Sequence, residues 1–303
     1  MYLRFQITRL MELKILRNQV FFCLDEFSKA YEEWEKHRLI DTGKKRSRSC
    51  EMTLSEMLTI MVLFHLSPCK NFKYFYCFHI SHFHKQDFPK LLSYSRFLQL
   101  MPRLFTPLCV LLQSLFGEET GIYIADATSL PMCHNKRINR NRVFKGLAAR
   151  GKTTMGWFYG LKLHLVINHK GSIVAVKITP GNVDERTILD EMTRHLKGSL
   201  FADKGYISQH LFKALYERGL KLITGIKRNM KNYLMPLIEK IMLRKRFLIE
   251  TLFDILKIHM NLSHTRHRSP TNACVNILSC LTAYQLKEKK PHMKSYLPAL
   301  IQS

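Results

Sequence analysis

The chain has 303 residues, 46% of them hydrophobic, which is enough to bury the core of one large domain or two ordinary ones. Lysine and arginine number 48 against 23 acidic residues, and the formal net charge of +25 favours a polyanionic partner, with nucleic acid the leading candidate. No apolar run approaches the roughly 20 residues of a membrane span and no signal-peptide pattern is present, so we expect no membrane partner and a cytoplasmic, nucleoid-associated protein.

Residues 1–118 have the pattern of helices. Apolar residues recur at helical spacing in two segments: Leu24, Phe27, Tyr31 and Trp34 in the first, and Leu54, Met57, Ile60, Met61 and Phe64 in the second. Thr53 precedes the second segment as a candidate N-cap. The pattern predicts a mainly helical N-terminal domain. A polar loop at residues 41–50 with four basic residues joins the two helices, and it is either a solvated connection or a phosphate contact.

The eight cysteines are scattered without a CxxC pair, which predicts reduced thiols packed in the fold. One group could be arranged on paper as a zinc site: Cys69, Cys77, His79, His82 and His84. Their spacing fits no common zinc module and the segment is dense in Phe and Tyr, so ordinary packing is favoured over metal binding.

After residue 118 the pattern becomes that of strands alternating with helices. The predicted elements are strands at 121–126, 157–168 and 172–179, a helix at 184–196, a strand at 199–203, a helix at 208–218, a strand at 220–226 and a long helix at 236–260. Asp184 and Ser208 are candidate N-caps. The order β-β-β-α-β-α-β-α predicts an α/β fold with an RNase H-like mixed sheet and flanking helices on both faces.

Two of the predicted strands end on a carboxylate. GIYIAD ends at Asp126 and SLFAD ends at Asp203, although strands buried on both faces are usually apolar throughout. If the two strands lie side by side, as an RNase H-like sheet arranges them, the two aspartates converge. Close carboxylates repel unless one is protonated or a divalent cation lies between them, and oxygen ligands suit Mg²⁺.

A third carboxylate is expected from the last predicted helix. Arg246, Glu250, Asp254 and Lys257 share one face, and the other side is apolar. In an isolated helix a ladder of salt bridges would be the favoured interpretation. With two strand-end aspartates upstream, Glu250 is favoured as the partner of Asp126 and Asp203.

Six segments occur in a specific order and spacing: YIADATSLP, GLKLHLVIN, ITPGNVDER, FADKGY, RKRFLIETLFDILK and SHTRHRSPTNACVNILSCLTAY. Together they resemble the DDE transposases of bacterial insertion sequences, most closely the IS982 family. The most specific part is the Arg-x3-Glu-x6-Lys pattern of Arg246, Glu250 and Lys257. A tyrosine found three residues before the arginine in some related transposases is replaced by Leu243.

The resemblance implies that Asp126, Asp203 and Glu250 form a catalytic, metal-binding triad for phosphoryl transfer. It implies two Mg²⁺ ions, with Mn²⁺ as a possible substitute, and double-stranded DNA at the element ends and target, bound by a homo-oligomer, most simply a dimer. The implied function is cleavage at terminal inverted repeats and strand transfer into target DNA. Lys257 is a candidate phosphate contact, and Arg246 is expected to orient Glu250 or to contact DNA.

The segment between the first two predicted strands, residues 131–156, has seven Lys or Arg and no acidic residue. It is interpreted as a loop that clamps DNA and contacts phosphates more than bases. Its candidate contacts are Lys136, Arg137, Arg140, Arg142 and Lys145. His164, by contrast, is expected to be packed or hydrogen-bonded rather than catalytic.

These observations divide the chain into a helical DNA-binding region at 1–118, an RNase H-like catalytic domain at 119–289 and a basic C-terminal tail at 290–303. Recognition of the terminal repeats is expected in the helical region, because helices can enter a major groove. Two alternatives stay open: an RNase H-like nuclease with the same triad, and an inactive DNA-binding remnant of a transposase.

Overall fold

The computed structural model describes residues 2–37, 50–154, 156–226, 230, 234–263 and 267–293, with the backbone alone for 2–16. Most of the basic loop at 41–50 and of the predicted tail at 290–303 lies outside the described residues. Within these ranges, no helix combines the length and the apolar character that a bilayer crossing requires.

The chain contains eleven α-helices and six strands in its described part. The helices are α1 (Tyr2–Lys36), α2 (Leu54–Leu66), α3 (Phe72–Tyr74), α4 (Ser81–Phe83), α5 (Tyr94–Leu100), α6 (Phe105–Ser114), α7 (Glu185–Met192), α8 (Gln209–Glu217), α9 (Leu237–Arg244), α10 (Phe247–Asp254) and α11 (Pro270–Gln285). The strands are β1 (Ile122–Cys133), β2 (Ala149–Thr153), β3 (Gly156–Asn168), β4 (Ile173–Pro180), β5 (Gly198–Ala202) and β6 (Leu220–Thr224). Helical turns of other types lie at Phe75–Ile80 and Ile255–His259 (π) and at Met101–Leu104, Asn135–Arg140 and Lys204–Tyr206 (3₁₀).

The described residues separate into two compact units. The first holds those up to Leu115, together with His259–Leu262 and Ser269–Leu286. The second holds Phe116–Ile258 and the described residues at 263, 267–268 and 287–293. This division differs from the predicted bounds of 119–289, because one late helix groups with the first unit.

That late helix is α11, which packs against α2 and α6 inside the first unit. Its residues are apolar around most of the circumference and are buried almost continuously from Ala273 to Gln285, so it needs partners on several sides. Helix α2 begins as predicted at Thr53, whose hydroxyl accepts from the Glu56 N–H while the Glu56 carboxylate accepts from the Thr53 N–H.

The second unit is built on one mixed sheet of six strands with helices packed on it. Strand β1 pairs antiparallel with β3 and parallel with β5, and β5 continues in parallel to β6. On the other edge of β3, β2 pairs along the first residues of β3 and β4 along the rest, both antiparallel. The predicted N-caps of α7 and α8, Asp184 and Ser208, are confirmed.

Three predicted boundaries in this unit are wrong. Strand β1 does not end at Asp126 but continues to Cys133, because β3 pairs with it over that whole length. The segment at 131–156 is not one long loop, since it contains the end of β1, a 3₁₀ turn and strand β2. The long helix predicted at 236–260 is interrupted after Arg244 and resumes at Phe247 as α10.

The two faces of the sheet have different partners. Tyr123, Ala125 and Val166 pack in one core cluster with residues of α7 and α8. Because side chains alternate along a strand, Ile124, Asp126 and Thr128 of β1 face the opposite side. Helix α10 also contacts β1. Arg246, the residue immediately before α10, donates a hydrogen bond to Asp126.

Candidate active site

Asp126 on β1 and Asp203, the first residue after β5, lie at equivalent positions along two neighbouring parallel strands. In the β1–β5 register Ile124 is opposite Phe201, and each aspartate comes two residues later on its own chain segment. The prediction that these two strands lie side by side is therefore confirmed. The parallel pairing of β1 with β5 stops before both aspartates. Their carboxylates therefore lie where β5 has ended, whereas β1 continues beyond this point in its pairing with β3.

Asp203 is held by a tight turn that follows β5. Its backbone carbonyl accepts from the Tyr206 N–H at 3.0 Å, and Tyr206 is buried in the core cluster with Leu200 and Leu211. The tyrosine ring thus anchors the turn that carries the aspartate. Its hydroxyl titrates well above the usual range, since burial raises the pKa of Tyr206 and the nearby Glu185, Asp126 and Asp203 add to the effect.

Arg246 joins the carboxylates of the predicted triad. One guanidinium nitrogen donates to Asp126 Oδ2 at 3.2 Å, and the other donates to Glu250 Oε1 at 2.9 Å and lies 4.0 Å from Asp203 Oδ1. Arg246 is the N-cap residue of α10, in the interruption between α9 and α10. The break in the predicted helix is therefore the place from which this side chain reaches all three acidic groups.

Glu250 projects from the first turn of α10, whose other residues hold the helix in place. Leu248, Ile249 and Leu252 are buried, whereas the Glu250 side chain is 55% exposed. The Arg246–Glu250 ion pair is also the i,i+4 contact that an isolated helix would form. The additional contact of Arg246 with Asp126 would not form in an isolated helix, because it connects α10 to strand β1.

Asp126 is the most buried carboxylate of the three. Burial raises the pKa of Asp126 to about 6, although the Ala127 N–H bond and the Arg246 guanidinium both favour the charged form. The bond from Ala127 N–H to Asp126 Oδ1 is 2.8 Å long and fixes the orientation of the carboxylate. A neighbouring cation stabilises the charged form of a carboxylate that is shielded from water more than it stabilises an exposed carboxylate.

Lys257 reaches the same side of the sheet from the π-helical turn after α10. Its ammonium donates to Thr128 Oγ1, two residues beyond Asp126 on β1. Burial lowers the pKa of Lys257, and the nearby Asp254 opposes that shift. The contact with Thr128 was not indicated by the sequence, since a strand ending at Asp126 would have left Thr128 in a loop.

His164 lies on the other face of the sheet. It is buried, its Nε2 is 2.8 Å from Thr179 Oγ1, and burial together with Lys162 and Lys177 lowers its pKa to about 4. The alternation of β3 places it away from Asp126, which is opposite Leu165. The prediction of a packed, hydrogen-bonded histidine is confirmed.

The five predicted clamp residues are all exposed: Lys136, Arg137, Arg140, Arg142 and Lys145. The first three lie on the 3₁₀ turn after β1, and the other two precede β2. Within the described part of the chain, none of the five forms an ion pair with a carboxylate, whereas Lys162, Lys177 and Arg218 elsewhere in this unit each do. Such unpaired cations are available to an external anion.

The donor chemistry of the triad fits a hard divalent cation, because three carboxylates already face one positive group. The distances between the three carboxylates, however, are not those of a metal site. Among the residues that the structure describes, no three His, Cys, Asp or Glu side chains are close enough to hold a single metal ion. In this conformation the acidic groups share a guanidinium instead.

Comparisons with known proteins bear on the family and the fold of this chain. The family model described as Transposase DDE domain matches residues 116–270, about half of the chain, and the match includes Asp126, Asp203 and Glu250. No curated protein matches the chain. Among solved structures, the piggyBac transposase synaptic complex with hairpin DNA is similar, with a TM-score of 0.51 and 11% identity over 95% of this chain and 78% of that chain. At this identity the similarity concerns the fold alone.

Proposed function

Because this chain belongs to the family of proteins with a transposase DDE domain, we propose that it is the transposase of a bacterial insertion sequence, of the type that the IS982 family represents. It binds the terminal inverted repeats of its element, cleaves DNA strands there and transfers them into target DNA. The observation that carries this proposal is the grouping of Asp126, Asp203 and Glu250 around Arg246 on one side of a mixed sheet.

The strand order supports an RNase H-like catalytic domain. Strands β4, β3 and β1 are antiparallel neighbours, and β5 and β6 continue the sheet in parallel to β1. In that order the two aspartates come from adjacent central strands, and the glutamate comes from a helix packed against them. This is the arrangement expected for a triad that must reach one phosphodiester bond.

Asp126, Asp203 and Glu250 would hold the metal ions, two Mg²⁺ or in their place Mn²⁺. When bound, such ions activate the attacking oxygen and stabilise the leaving oxygen of a phosphodiester. The chain itself orients the ligands: the Ala127 N–H fixes Asp126, the buried Tyr206 fixes the turn of Asp203, and the apolar side of α10 fixes Glu250.

The basic residues position the DNA. The exposed cations of the segment at 131–156 contact phosphates on either side of the scissile bond. Lys257, on the same side of the sheet as Asp126, contacts the phosphate nearest the cut. Arg246 moves from the carboxylates to the DNA when the backbone approaches. The solved piggyBac complex contains hairpin DNA. For this chain, double-stranded DNA and a dimer on it are part of the proposal.

Substitution of the triad tests the proposal. Asp126→Asn, Asp203→Asn and Glu250→Gln should each reduce strand cleavage roughly a thousandfold or more, while binding to element ends stays within a few fold. Asp254→Asn is the matched control, since Asp254 is exposed on the same helix as Glu250. Cleavage is measured on labelled end duplexes with Mg²⁺, and undiminished cutting by any triad variant removes that residue from the proposal.

The reaction products distinguish the proposed transposase from the two alternatives, a nuclease and an inactive remnant. A transposase joins the cut end to a second duplex, and the joined product is longer than either substrate. An RNase H-like nuclease with the same triad would cut without joining. An inactive remnant would bind the ends, and the wild-type chain would neither cut nor join.

A further inference from the structure

Trp157 is the most exposed of the aromatic residues on strand β3. Its side chain is 63% exposed, whereas its neighbours Phe158 and Tyr159 are buried. A single exposed aromatic ring is common on protein surfaces and needs no explanation by itself. Here the ring also borders a cavity in a strongly basic part of the second unit.

The cavity has a volume of about 450 Å³ and is lined by Asn135, Ile138, Arg150, Trp157 and Phe158. This volume lies within the roughly 300–1,000 Å³ typical of ligand pockets. The walls are fixed to one another: Asn135 Nδ2 donates to the Trp157 carbonyl at 2.7 Å, and Arg150 is opposite Tyr159 in the β2–β3 ladder. The 3₁₀ turn, β2 and β3 therefore hold the cavity open together.

One cation lies over the Trp157 ring, and a second lines the same cavity. Lys152 is opposite Trp157 in the β2–β3 ladder, and its ammonium lies 5.8 Å from the centre of the ring. Arg150 contributes a second positive charge to the lining, and the lining residues include no carboxylate. An aromatic surface beside lysine and arginine matches a ligand that joins a flat aromatic ring to an anionic group, which is the chemistry of a nucleotide.

We propose that Trp157 stacks on an unpaired base of bound DNA, while Arg150 and Lys152 contact the phosphates beside that base. The base must be unpaired because both faces of a base inside a duplex are covered by its neighbours, so no side chain can stack on it there. This inference rests on the proposed function for its ligand. It adds a base-binding site next to the segment at 131–156, for which mainly phosphate contacts were expected.

The chain offers a direct optical test, because it has two tryptophans, Trp34 and Trp157. In the full-length Trp34→Phe variant the emission of Trp157 is observed alone. Three duplexes of one sequence are compared in EDTA: one with a single bulged base, one with an abasic residue in the bulge, and one fully paired. We expect the bulged base to quench Trp157 and to bind roughly tenfold or more tightly than the abasic bulge.

The same preference is then measured in variants. Trp157→Ala should bind the bulged and abasic duplexes equally, Trp157→Phe should retain part of the preference, and Trp34→Phe should retain all of it. Arg150→Gln should weaken binding to all three duplexes by a similar factor, since a phosphate contact does not depend on the base. Circular dichroism of each variant confirms that the fold is intact.

Three results would overturn the inference. They are equal affinity of the wild-type chain for the bulged base and the abasic bulge, a preference that persists in Trp157→Ala, and Trp157 emission that changes with protein concentration in the absence of DNA. The last result would assign this surface to contacts between copies of the chain. Because binding is measured without divalent metal, failure of the triad would leave this test valid, and loss of base preference with intact cleavage would overturn this inference alone.

Discussion

Arg246 supplies a positive charge to a place where three negative groups meet. Its guanidinium contacts Asp126 and Glu250 and lies near Asp203, and its side chain is only 22% exposed. Without a cation, three carboxylates on one side of a sheet would repel one another. Arg246 therefore acts as an internal counter-ion, and we expect it to compete with a metal ion for the same oxygen atoms.

Replacing Arg246 tests this competition. In the absence of DNA, Arg246→Gln should bind Mn²⁺ about tenfold more tightly than the wild-type chain, which corresponds to a competing interaction of ~1.4 kcal/mol. Calorimetric titration or Mn²⁺ spin resonance measures the affinity. The matched control is Arg244→Gln, an exposed arginine at the end of α9. Unchanged or weaker Mn²⁺ binding by Arg246→Gln would mean that Arg246 supports the metal ligands rather than competing for them.

His65 is a buried histidine that the first unit keeps neutral. Its Nδ1 donates to the Met260 carbonyl at 2.6 Å, its Nε2 lies 3.1 Å from Ser279 Oγ, and the side chain is almost completely buried. Burial lowers the pKa of His65 to about 4, against a usual value of 6.5, although its backbone hydrogen bonds oppose the shift. Between these two values the unfolded chain binds a proton at His65 and the folded chain does not.

Stability should therefore fall as the pH falls from 6.5 to 4. The contribution of His65 to stability is fully present above pH 6.5. Its loss between pH 6.5 and pH 4 should lower the free energy of unfolding by about 3 kcal/mol. His65→Gln should show a shallower dependence over this window, and His195→Gln, which replaces an exposed histidine, should keep the wild-type slope. Urea unfolding at several pH values measures the difference. A parallel decline in His65→Gln would assign the effect to other groups.

At the scale of elements, the segment between β1 and β3 concentrates unpaired positive charge. Five substitutions to glutamine are made together, at Lys136, Arg137, Arg140, Arg142 and Lys145. Affinity should fall alike for element ends and random duplex. The slope of log K against log salt should shrink by up to about 4.5, since each of the five phosphate contacts contributes roughly 0.9.

The matched control carries the same change of net charge at exposed basic residues elsewhere in the second unit: Lys170, Arg186, Arg194, Lys197 and Lys213. The salt slope of this control should stay close to that of the wild-type chain. If both variants lose the same part of the slope, the effect belongs to total charge and not to the segment.

Local signals in the sequence were sufficient for helix starts and for the order of most elements. Thr53, Asp184 and Ser208 are N-caps because a short polar side chain before an apolar run satisfies the first free N–H groups, and that pattern is visible in the sequence. The pairing of the strands that carry Asp126 and Asp203 followed from element order alone. Contacts between distant residues were beyond such signals.

The extension of β1 is an example of what could not be predicted. Pro131 lacks an N–H, and a proline in a sequence predicts the end of a strand. Strand β1 nevertheless continues through Pro131, with a shift of register between Pro131 and Cys133. The chain can do this because Gly160 faces it on β3: a Cβ atom at that glycine would lie 2.1 Å from the Leu130 carbonyl oxygen. The interruption at Arg246 likewise depends on its contacts with carboxylates from other segments.

At the scale of the whole molecule, the first unit is assembled from the two ends of the sequence. Helix α11 supplies Asn272, whose amide donates to the Leu98 carbonyl, and Gln285, whose amide donates to the Leu115 carbonyl. Its apolar residues pack against α2 and α6. Recognition of the element ends by the helical region remains a prediction, and its test must include this late helix.

A fragment of residues 1–118 should consequently lack a stable fold. It would expose to water the surfaces of α2 and α6 that α11 covers, and its thermal melt, followed by circular dichroism, should show no cooperative transition. A chain in which residues 1–115 are joined through a flexible linker to residues 256–287 should recover the transition. A cooperative melt of the short fragment alone would show that α11 is dispensable.

The placement of α11 also sets the order of events during synthesis. His65 and Ser279, which are in contact, are separated by 214 positions, so the ribosome must finish nearly the whole chain before the first unit can close its core. Until then the nascent helices hold exposed apolar surface, which is the condition in which chaperones bind. A message that is truncated or shifted in frame before codon 270 thus yields a protein that lacks α11 and has a defective first unit, so α11 serves as a check that translation has passed this point.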